Sequence, residues 1–254
     1  MKQIPNLFTL LNLFLGSTAI IFILQTGQTI AFIDSEGYTQ VDLPEKITWG
    51  AILIFCAAVV DFLDGFLARL LKATSPMGKQ LDSLSDVVSF GVAPGLIIYQ
   101  LLRISYAKEE GGLDISIAYL LPALIVPCAA AWRLAKFNLD ESQQYSFKGL
   151  PTPAAGLFIA SLPLMIWFPS INVSEYIISK WILYLIVIVL SFLMISNLPL
   201  MGLKFKDFSF KNNLPKYLLV IIGIIAIVLF KWIAVPILLV AYVIVSLIFQ
   251  NKLK

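Results

Sequence analysis

The sequence predicts an all-α, polytopic membrane protein, a helical bundle with about eight transmembrane helices. Hydrophobic residues make up 59% of its 254 positions, charged residues only 13%, and the mean hydropathy is +0.91. A soluble domain of this length needs far more polar surface. The apolar residues are also grouped into stretches that approach the ~20 residues with which a helix crosses a bilayer. The chain is therefore expected to span a membrane several times.

Eight apolar stretches define the expected helices. They lie near residues 7–25, 48–71, 78–103, 115–136, 152–170, 177–198, 214–230 and 233–250. The first is expected to be a retained helix rather than a signal peptide, because Pro5, Asn6, Thr9 and Asn12 interrupt it and no small-residue cleavage site closes it.

The last apolar run, from Leu214 to Gln250, is too long for one span at ~1.5 Å rise per residue. It is expected to form two short spans that turn near Lys231 and Trp232, because amphipathic side chains of this kind suit a membrane interface. No internal repeat is apparent along the sequence.

Lysine and arginine are distributed unevenly between the two sides that these spans define. With an internal N-terminus, the inner side receives Lys2, Arg69, Lys72, Lys79, Arg133, Lys136, Lys148, Lys204, Lys206, Lys211, Lys216, Lys252 and Lys254. The outer side receives Lys46, Arg103, Lys108, Lys180 and Lys231, and its loops are acidic instead, with Asp34, Glu36, Asp42, Glu45, Glu109, Glu110 and Asp114. This positive-inside bias requires an even number of spans and predicts which end of the bundle faces the cytoplasm, as in a bacterial inner membrane.

The composition limits the chemistry that the chain can perform. It contains no histidine, which excludes imidazole bases, catalytic triads and imidazole metal ligands. Cys56 and Cys128 both lie inside apolar runs, so they are expected to be inert small side chains rather than a disulfide or metal ligands. Oxygen ligands are what remains, and they favour hard cations such as Mg²⁺ or Mn²⁺.

Four aspartates within 26 residues are the most informative feature, because ionisable groups at membrane depth are costly and usually functional. They are Asp61, Asp64, Asp82 and Asp86. At 100° per residue, the first two share one face of the second helix with Ala68, and Gly65 and Arg69 lie beside that face.

The third helix is expected to begin at Ser75 as N-cap, with Pro76 at its first position. Gly78, Asp82 and Asp86 then form one stripe at i, i+4 and i+8. A short turn makes the two helices antiparallel, so both acidic faces meet near the cytoplasmic surface.

Such a carboxylate pocket suits two divalent cations that clamp the oxygens of a phosphoryl displacement. Gly65 and Gly78 allow close approach of a ligand, Arg69 supplies a permanent charge for phosphate, and Asp86 can take a proton from an attacking hydroxyl. The alternative interpretation is that the aspartates merely cap helix ends.

The pattern D-x-x-D-G-x-x-A-R-x8-G-x-x-x-D-x-x-x-D resembles the signature of the CDP-alcohol phosphatidyltransferases, with no departure. The resemblance implies a six-helix catalytic core over residues 1–200, followed here by a C-terminal helix pair over 201–254, and usually a homodimer. It implies transfer of a phosphatidyl group from a CDP-linked lipid to an alcohol, with release of CMP. By the same resemblance Asp61, Asp64, Asp82 and Asp86 bind the metals, and Asp86 is also the general base. Gly65, Ala68, Arg69 and Gly78 shape the CDP pocket.

Three further segments resemble parts of the family. The segment from Ile4 to Thr9 is similar to its first helix, which implies that Asn6 and Thr9 lie near the nucleotide. The segments from 133 to 138 and from 147 to 155 resemble the bacterial and archaeal phosphatidylserine synthases, which implies CDP-diacylglycerol and L-serine as substrates.

Arg133 and Lys148 are the residues expected to pair with an anionic group, either the lipid phosphate or the carboxylate of serine; ordinary flanking charges are the alternative. The aspartate signature cannot choose the alcohol, so glycerol 3-phosphate and inositol phosphate stay open as acceptors. A cation-coupled transporter would also carry intramembrane carboxylates, but it predicts paired halves and leaves Gly65, Arg69 and Gly78 without a role. A structural membrane scaffold would need no acidic cluster.

Overall fold

The computed structural model describes residues 3–24, 31–33, 39–41, 45–73, 75–109, 111–139, 146–202 and 210–249. Most of these residues are helical. The helices are α1 (Ile4–Leu24), α2 (Glu45–Leu70), α3 (Pro76–Asp86), α4 (Ala93–Ala107), α5 (Ile125–Leu139), α6 (Thr152–Trp167), α7 (Ser174–Ile177), α8 (Lys180–Ile195), α9 (Phe210–Phe230) and α10 (Ala234–Ile248). The strands are β1 (Ala31–Ile33), β2 (Thr39–Val41), β3 (Ser146–Lys148) and β4 (Pro199–Met201).

The predicted fold class, an all-α polytopic membrane protein, is confirmed. Four helical stretches of the described residues are long and apolar enough to cross a membrane. They are Ile4–Leu24, Glu45–Leu70, Pro76–Ala107 and Asn213–Ile248. The shorter helices α6 and α8 are apolar as well, and the described strands form two short antiparallel pairs, β1 with β2 and β3 with β4.

The predicted helix over 115–136 begins later than expected. Two 3₁₀ turns occupy Ile117–Tyr119 and Leu121–Leu124, and α5 starts only at Ile125. Pro122 supplies no backbone N–H and restricts the residue before it, so an α-helix cannot run through this point without losing hydrogen bonds.

Helix α2 packs antiparallel along α1. At one end, Gly50 lies against the Ile23 side chain and 3.1 Å from the carbonyl oxygen of Ala19, measured from the Cβ that an alanine would carry. At the other end, the Thr9 hydroxyl reaches Asp64. The small residue therefore lets the two helices approach closely enough for the polar contact to form.

Helix α1 runs parallel to the long helical stretch made by α3 and α4. Gly16 faces Ser89 so closely that a Cβ would collide with it, and the Ser89 hydroxyl donates to the carbonyl oxygen of Asn12 at 3.1 Å. Further along, the Gln100 amide donates to the carbonyl oxygen of Ile23 at 2.9 Å. Hydrogen bonds from polar side chains thus join α1 to this helical stretch at several points along their contact.

A π-helical segment, Val87–Val92, joins α3 to α4 directly after Asp86. Each π turn adds one residue, so it changes which side chains face the neighbouring helices. Ser89, Phe90 and Gly91 within it are all buried. Gly91 and Gly95 lie against Pro127 of α5, and Gly156 of α6 lies against Phe90. Large fully buried side chains of the core are Phe90, Ile97, Ile98, Leu101, Leu102, Ile159, Leu164 and Leu183.

Helices α9 and α10 form a hairpin, as predicted. Lys231 has a φ of 49°, a left-handed conformation that ends α9, and a 3₁₀ turn leads into α10. Gly223 of α9 faces Leu238 of α10, and Trp232 in the turn packs edge-on against Phe55 of α2 with ring centroids 5.3 Å apart. The proposed boundary between residues 200 and 201 stays a prediction.

The predicted separation of charges can be followed through the helices that the structure describes. Arg69 lies in the last turn of α2 and Lys46 in its first turn, so the two residues lie at opposite ends of this helix, as the sequence predicts. Some of the charged residues in this prediction lie outside the described residues: Lys2, Lys204, Lys206, Lys252, Lys254, Asp34, Glu36, Asp42 and Glu110.

Candidate active site

The turn between α2 and α3 brings the two acidic helix faces together. Lys72, with a φ of 49°, sits in the left-handed conformation that commonly terminates a helix. Ser75 then caps α3, because its hydroxyl accepts the backbone N–H of Gly78 at 3.0 Å, and Pro76 occupies the first turn. The predicted N-cap is confirmed, and the chain reverses within five residues.

The carboxylates converge at this end of the bundle. Asp61, Asp64 and Asp82 each offer an oxygen atom, and these atoms all lie within 4.8 Å of one another. Asp61 is also within hydrogen-bonding reach of both Asp82 and Asp86. Asp64 and Asp86 are buried, with exposed fractions of 5% and 6%, whereas Asp61 and Asp82 are half-buried. The structure therefore brings all four aspartates of the motif into one cluster.

The four carboxylates have little counter-charge in the part of the chain that the structure describes. No ion pair among the described residues joins a lysine or arginine to any of the four carboxylates, although Arg69 lies within electrostatic range of Asp64. Removing several like charges from water without a counter-charge is strongly unfavourable. An all-oxygen donor set of this kind fits hard divalent cations, so these residues could hold a metal ion.

Helix α1 holds two of the aspartates from the side. The Thr9 hydroxyl donates to Asp64 Oδ2 at 2.7 Å, and the Asn12 amide makes a longer contact, 3.4 Å, with Asp86 Oδ1. The Ser85 hydroxyl donates to the carbonyl oxygen of Thr9 at 3.1 Å and fixes α1 against α3. These bonds orient both carboxylates.

Asn12 is a site residue that the sequence reasoning missed. It is fully buried, and its Oδ1 has no hydrogen-bond partner, which leaves an acceptor beside the carboxylates for a donor or a cation. A signal was present: Asn12 follows Thr9 by three residues, so both lie on the same face of an otherwise apolar helix.

The glycines of the motif lie where helices and side chains crowd. A Cβ on Gly78 would come within 3.1 Å of Asn6 Oδ1 and of Ser75 Oγ, so Asn6 borders the start of α3. The Arg69 guanidinium folds back along Gly65, 3.5 Å from the position of a Cβ there. Arg69 is exposed, and Ala68, Gly65 and Gly78 are half-buried, so this group forms the open rim of the cluster.

Arg133 of α5 closes the inner side of the site. It is 7% exposed and lies within electrostatic range of Asp86. Its Nη1 makes a long contact of 3.5 Å with Thr152 Oγ1, its guanidinium lies 5.3 Å from the centroid of the Phe137 ring, and its Nε has no partner. The structure thus brings Arg133 to the aspartates, whereas Lys148 is exposed on β3.

The segment that leads from Lys148 to Thr152 is held rigidly. Gly149 has a φ of 77°, and a Cβ there would lie within 2.7 Å of the carbonyl oxygens of Met194 and Ser196. Its N–H donates to the carbonyl oxygen of Leu198 at 2.9 Å. Only glycine fits such a conformation and space, so the entry into α6 is fixed against the end of α8.

Comparison with known proteins identifies the family. The model of the CDP-alcohol phosphatidyltransferase family matches residues 2–196. The chain belongs to this family. It is therefore an enzyme of CDP-alcohol phosphatidyl transfer embedded in a membrane, and the transporter and scaffold alternatives are not supported.

Individual relatives agree with this assignment. A CDP-diacylglycerol–serine O-phosphatidyltransferase of Helicobacter pylori is 31% identical over 86% of this chain and 78% of its own length. A protein of the same name from Bacillus subtilis is 32% identical over 54% of this chain and 76% of its own length. An archaetidylserine synthase of Methanothermobacter thermautotrophicus is 33% identical over 59% of this chain and 61% of its own length.

The bond from Thr9 to Asp64 gives a direct test of how α1 supports the site. Thr9→Val keeps the shape of the side chain but removes the donor, so the carboxylate loses its orientation. We expect Mn²⁺ affinity, measured by electron paramagnetic resonance, to fall about tenfold, since a hydrogen bond to a charged group contributes about 1.5–3 kcal/mol.

Thr18→Val is the matched control, because the exposed Thr18 hydroxyl donates only to the carbonyl oxygen of Phe14 in its own helix. Equal Mn²⁺ affinities in the two variants would contradict the role of Thr9.

Proposed function

We propose that this enzyme transfers the phosphatidyl group of CDP-diacylglycerol to the hydroxyl group of L-serine, giving phosphatidylserine and CMP. The observation that carries the proposal is the buried Arg133, which faces Asp86 and keeps its Nε without a partner. A planar guanidinium suits a free carboxylate, and serine is an alcohol that carries one. The names of the relatives from H. pylori and B. subtilis support the same acceptor.

Asp61, Asp64, Asp82 and Asp86 would hold two divalent cations, Mg²⁺ or Mn²⁺. When bound, these cations would neutralise the pyrophosphate and stabilise the charge that develops on the departing oxygen. The oxygen atoms within 4.8 Å of one another and the unpartnered Asn12 Oδ1 beside them support this role.

In the overall reaction, the serine oxygen bonds to the phosphorus that carries diacylglycerol. The bond from that phosphorus to the pyrophosphate bridge breaks, and CMP leaves with the electron pair. Asp86 takes the hydroxyl proton as general base, and the Asn12 amide, 3.4 Å from Asp86 Oδ1, would keep the carboxylate turned towards the acceptor.

The remaining residues divide between the two substrates. Six residues would surround the CDP moiety. Thr9 reaches the cluster from its buried side, and the others border its half-buried and exposed side: Asn6, Gly65, Ala68, Arg69 and Gly78. Arg133, with Lys148 at the surface, would bind the acceptor or the lipid phosphate. Glycerol 3-phosphate and inositol phosphate are the competing acceptors, because their phosphates also suit these cations.

The enzyme is proposed to be an integral protein of a bacterial inner membrane, with this site on the cytoplasmic side, and to act as a homodimer. The excess of lysine and arginine at the aspartate end of the helices supports the orientation. A cytoplasmic site would also give direct access to water-soluble serine.

Metal removal tests the cation requirement. EDTA should abolish CMP release, because four carboxylates cannot stay ionised together without counter-charge, and added Mn²⁺ or Mg²⁺ should restore it. The measurement is CMP release from CDP-diacylglycerol and serine in detergent. Full activity in thoroughly chelated protein would refute the metal assignment.

Amide substitutions separate the roles of the aspartates. Asp86→Asn should lower kcat about 10²–10⁴-fold while CDP-lipid binding survives, because it removes the base but keeps the size. Asp61→Asn, Asp64→Asn and Asp82→Asn should instead weaken metal and CDP-lipid binding.

Asp114→Asn, at an exposed position of a 3₁₀ turn, is the control and should keep wild-type values. Wild-type turnover in Asp86→Asn would require another general base.

The acceptor is tested by measuring CMP release with serine, glycerol 3-phosphate, inositol phosphate and choline in parallel. Serine should be the preferred acceptor. Arg133→Lys should lower kcat/KM for serine about tenfold, because lysine keeps the positive charge but cannot donate two parallel hydrogen bonds to a carboxylate. Metal-dependent binding of the CDP-lipid should survive.

Arg103→Lys is the control, since Arg103 lies at the other end of the bundle and donates to Gln100. Preference for glycerol 3-phosphate in the wild type would move the protein to a sister activity. Unchanged serine kinetics in Arg133→Lys would reduce Arg133 to a flanking charge.

A further inference from the structure

Helix α10 holds the last residue of β4 through two side chains. The Tyr242 hydroxyl donates to the carbonyl oxygen of Met201 at 2.9 Å, and the backbone N–H of Met201 donates to Ser246 Oγ at 3.2 Å. Tyr242 and Ser246 are four residues apart and so share one face of α10. Met201 is 1% exposed and Ser246 is fully buried. The backbone N–H and carbonyl oxygen of the buried Met201 therefore both have their hydrogen-bond partners on α10.

Met201 is connected to the active site through strands β4 and β3. β4 pairs with β3 in a register that sets Met201 opposite Ser146 and Pro199 opposite Lys148. The next residue, Gly149, bonds to Leu198, just before β4. This two-stranded ribbon leads directly into Thr152, whose hydroxyl is the contact of the Arg133 guanidinium.

Tyr242 is also a polar neighbour of Arg133, although no hydrogen bond joins the two side chains. The two side chains lie within electrostatic range of each other. Arg133 Nε has no partner of its own, so the orientation of the guanidinium depends on its contacts with Thr152 and with the Phe137 ring.

We infer that Tyr242 and Ser246 of α10 are positioning residues for the acceptor side of the active site, acting on Arg133 through the β3–β4 ribbon. The family match ends at residue 196, so these residues lie beyond the part of the chain that defines the transfer chemistry. The C-terminal hairpin thereby contributes to acceptor binding in addition to spanning the membrane. The inference rests on the proposed role of Arg133.

The test compares Tyr242→Phe and Ser246→Ala with the wild type as full-length protein in lipid nanodiscs. Each variant should raise the KM for the acceptor alcohol about fivefold, the typical effect of losing one buried hydrogen bond. The KM for CDP-diacylglycerol and kcat should stay near wild-type values, while the Tm falls modestly because a buried hydrogen bond is lost. Tyr176→Phe, at an exposed tyrosine of α7, and Ser191→Ala, at a buried serine whose hydroxyl has no partner, are the matched controls and should change none of these.

An unchanged acceptor KM in both α10 variants would overturn the inference. So would a parallel loss of kcat and affinity for both substrates with a lower Tm, because that is the signature of a merely structural role.

Coupling to Arg133 is tested by adding Tyr242→Phe to Arg133→Lys. If Tyr242 acts through Arg133, the second substitution should cause little further loss; independent, additive effects would overturn the coupling. All kinetics are measured with whichever alcohol the wild type uses best. A preference other than serine would therefore refute the proposed acceptor, while the α10 variants would still decide this inference.

Discussion

The structure depends on one electrostatic constraint, the gathering of four carboxylates at one end of a membrane bundle. Asp61, Asp64, Asp82 and Asp86 repel one another and are partly or wholly removed from water, so each needs a fixed position and a counter-charge. The short turn capped by Ser75 brings their two helices together, and α1 supplies the neutral hydrogen-bond donors. Because the carboxylates repel one another and offer only oxygen ligands, the cluster could hold divalent cations.

Close helix packing is what allows α1 to reach the carboxylates. Gly16 and Gly50 remove the side chains that would hold α1 away from its two neighbours. Hydroxyl groups of Ser85 and Ser89 then bond to backbone carbonyls of α1 across the contact. In a membrane, where apolar burial contributes little between helices, such small residues and polar bonds are the main source of specific association.

The site has two sides that differ in how they are built. The proposed CDP side comes mainly from residues 61–86 of α2 and α3, which match the family signature, with Asn6 and Thr9 of α1 beside them. The proposed acceptor side joins Arg133 of α5, Thr152 of α6 and, through the β3–β4 ribbon, α10. Because the two sides come from different parts of the chain, residues on the proposed acceptor side could change without changing the aspartate cluster.

The sequence by itself determined what depends on neighbouring residues: the membrane class, the aspartate stripes at helical spacing, the Ser75 cap and the turn at Lys231. These follow from hydrophobic period and turn chemistry, which act over a few residues. Tertiary structure alone decided the π-helical segment after Asp86, the role of Asn12 and the grip of Tyr242 on Met201. Each of these features joins residues that are distant in the chain or depends on how the helices pack against one another. A local sequence pattern does not predict such contacts.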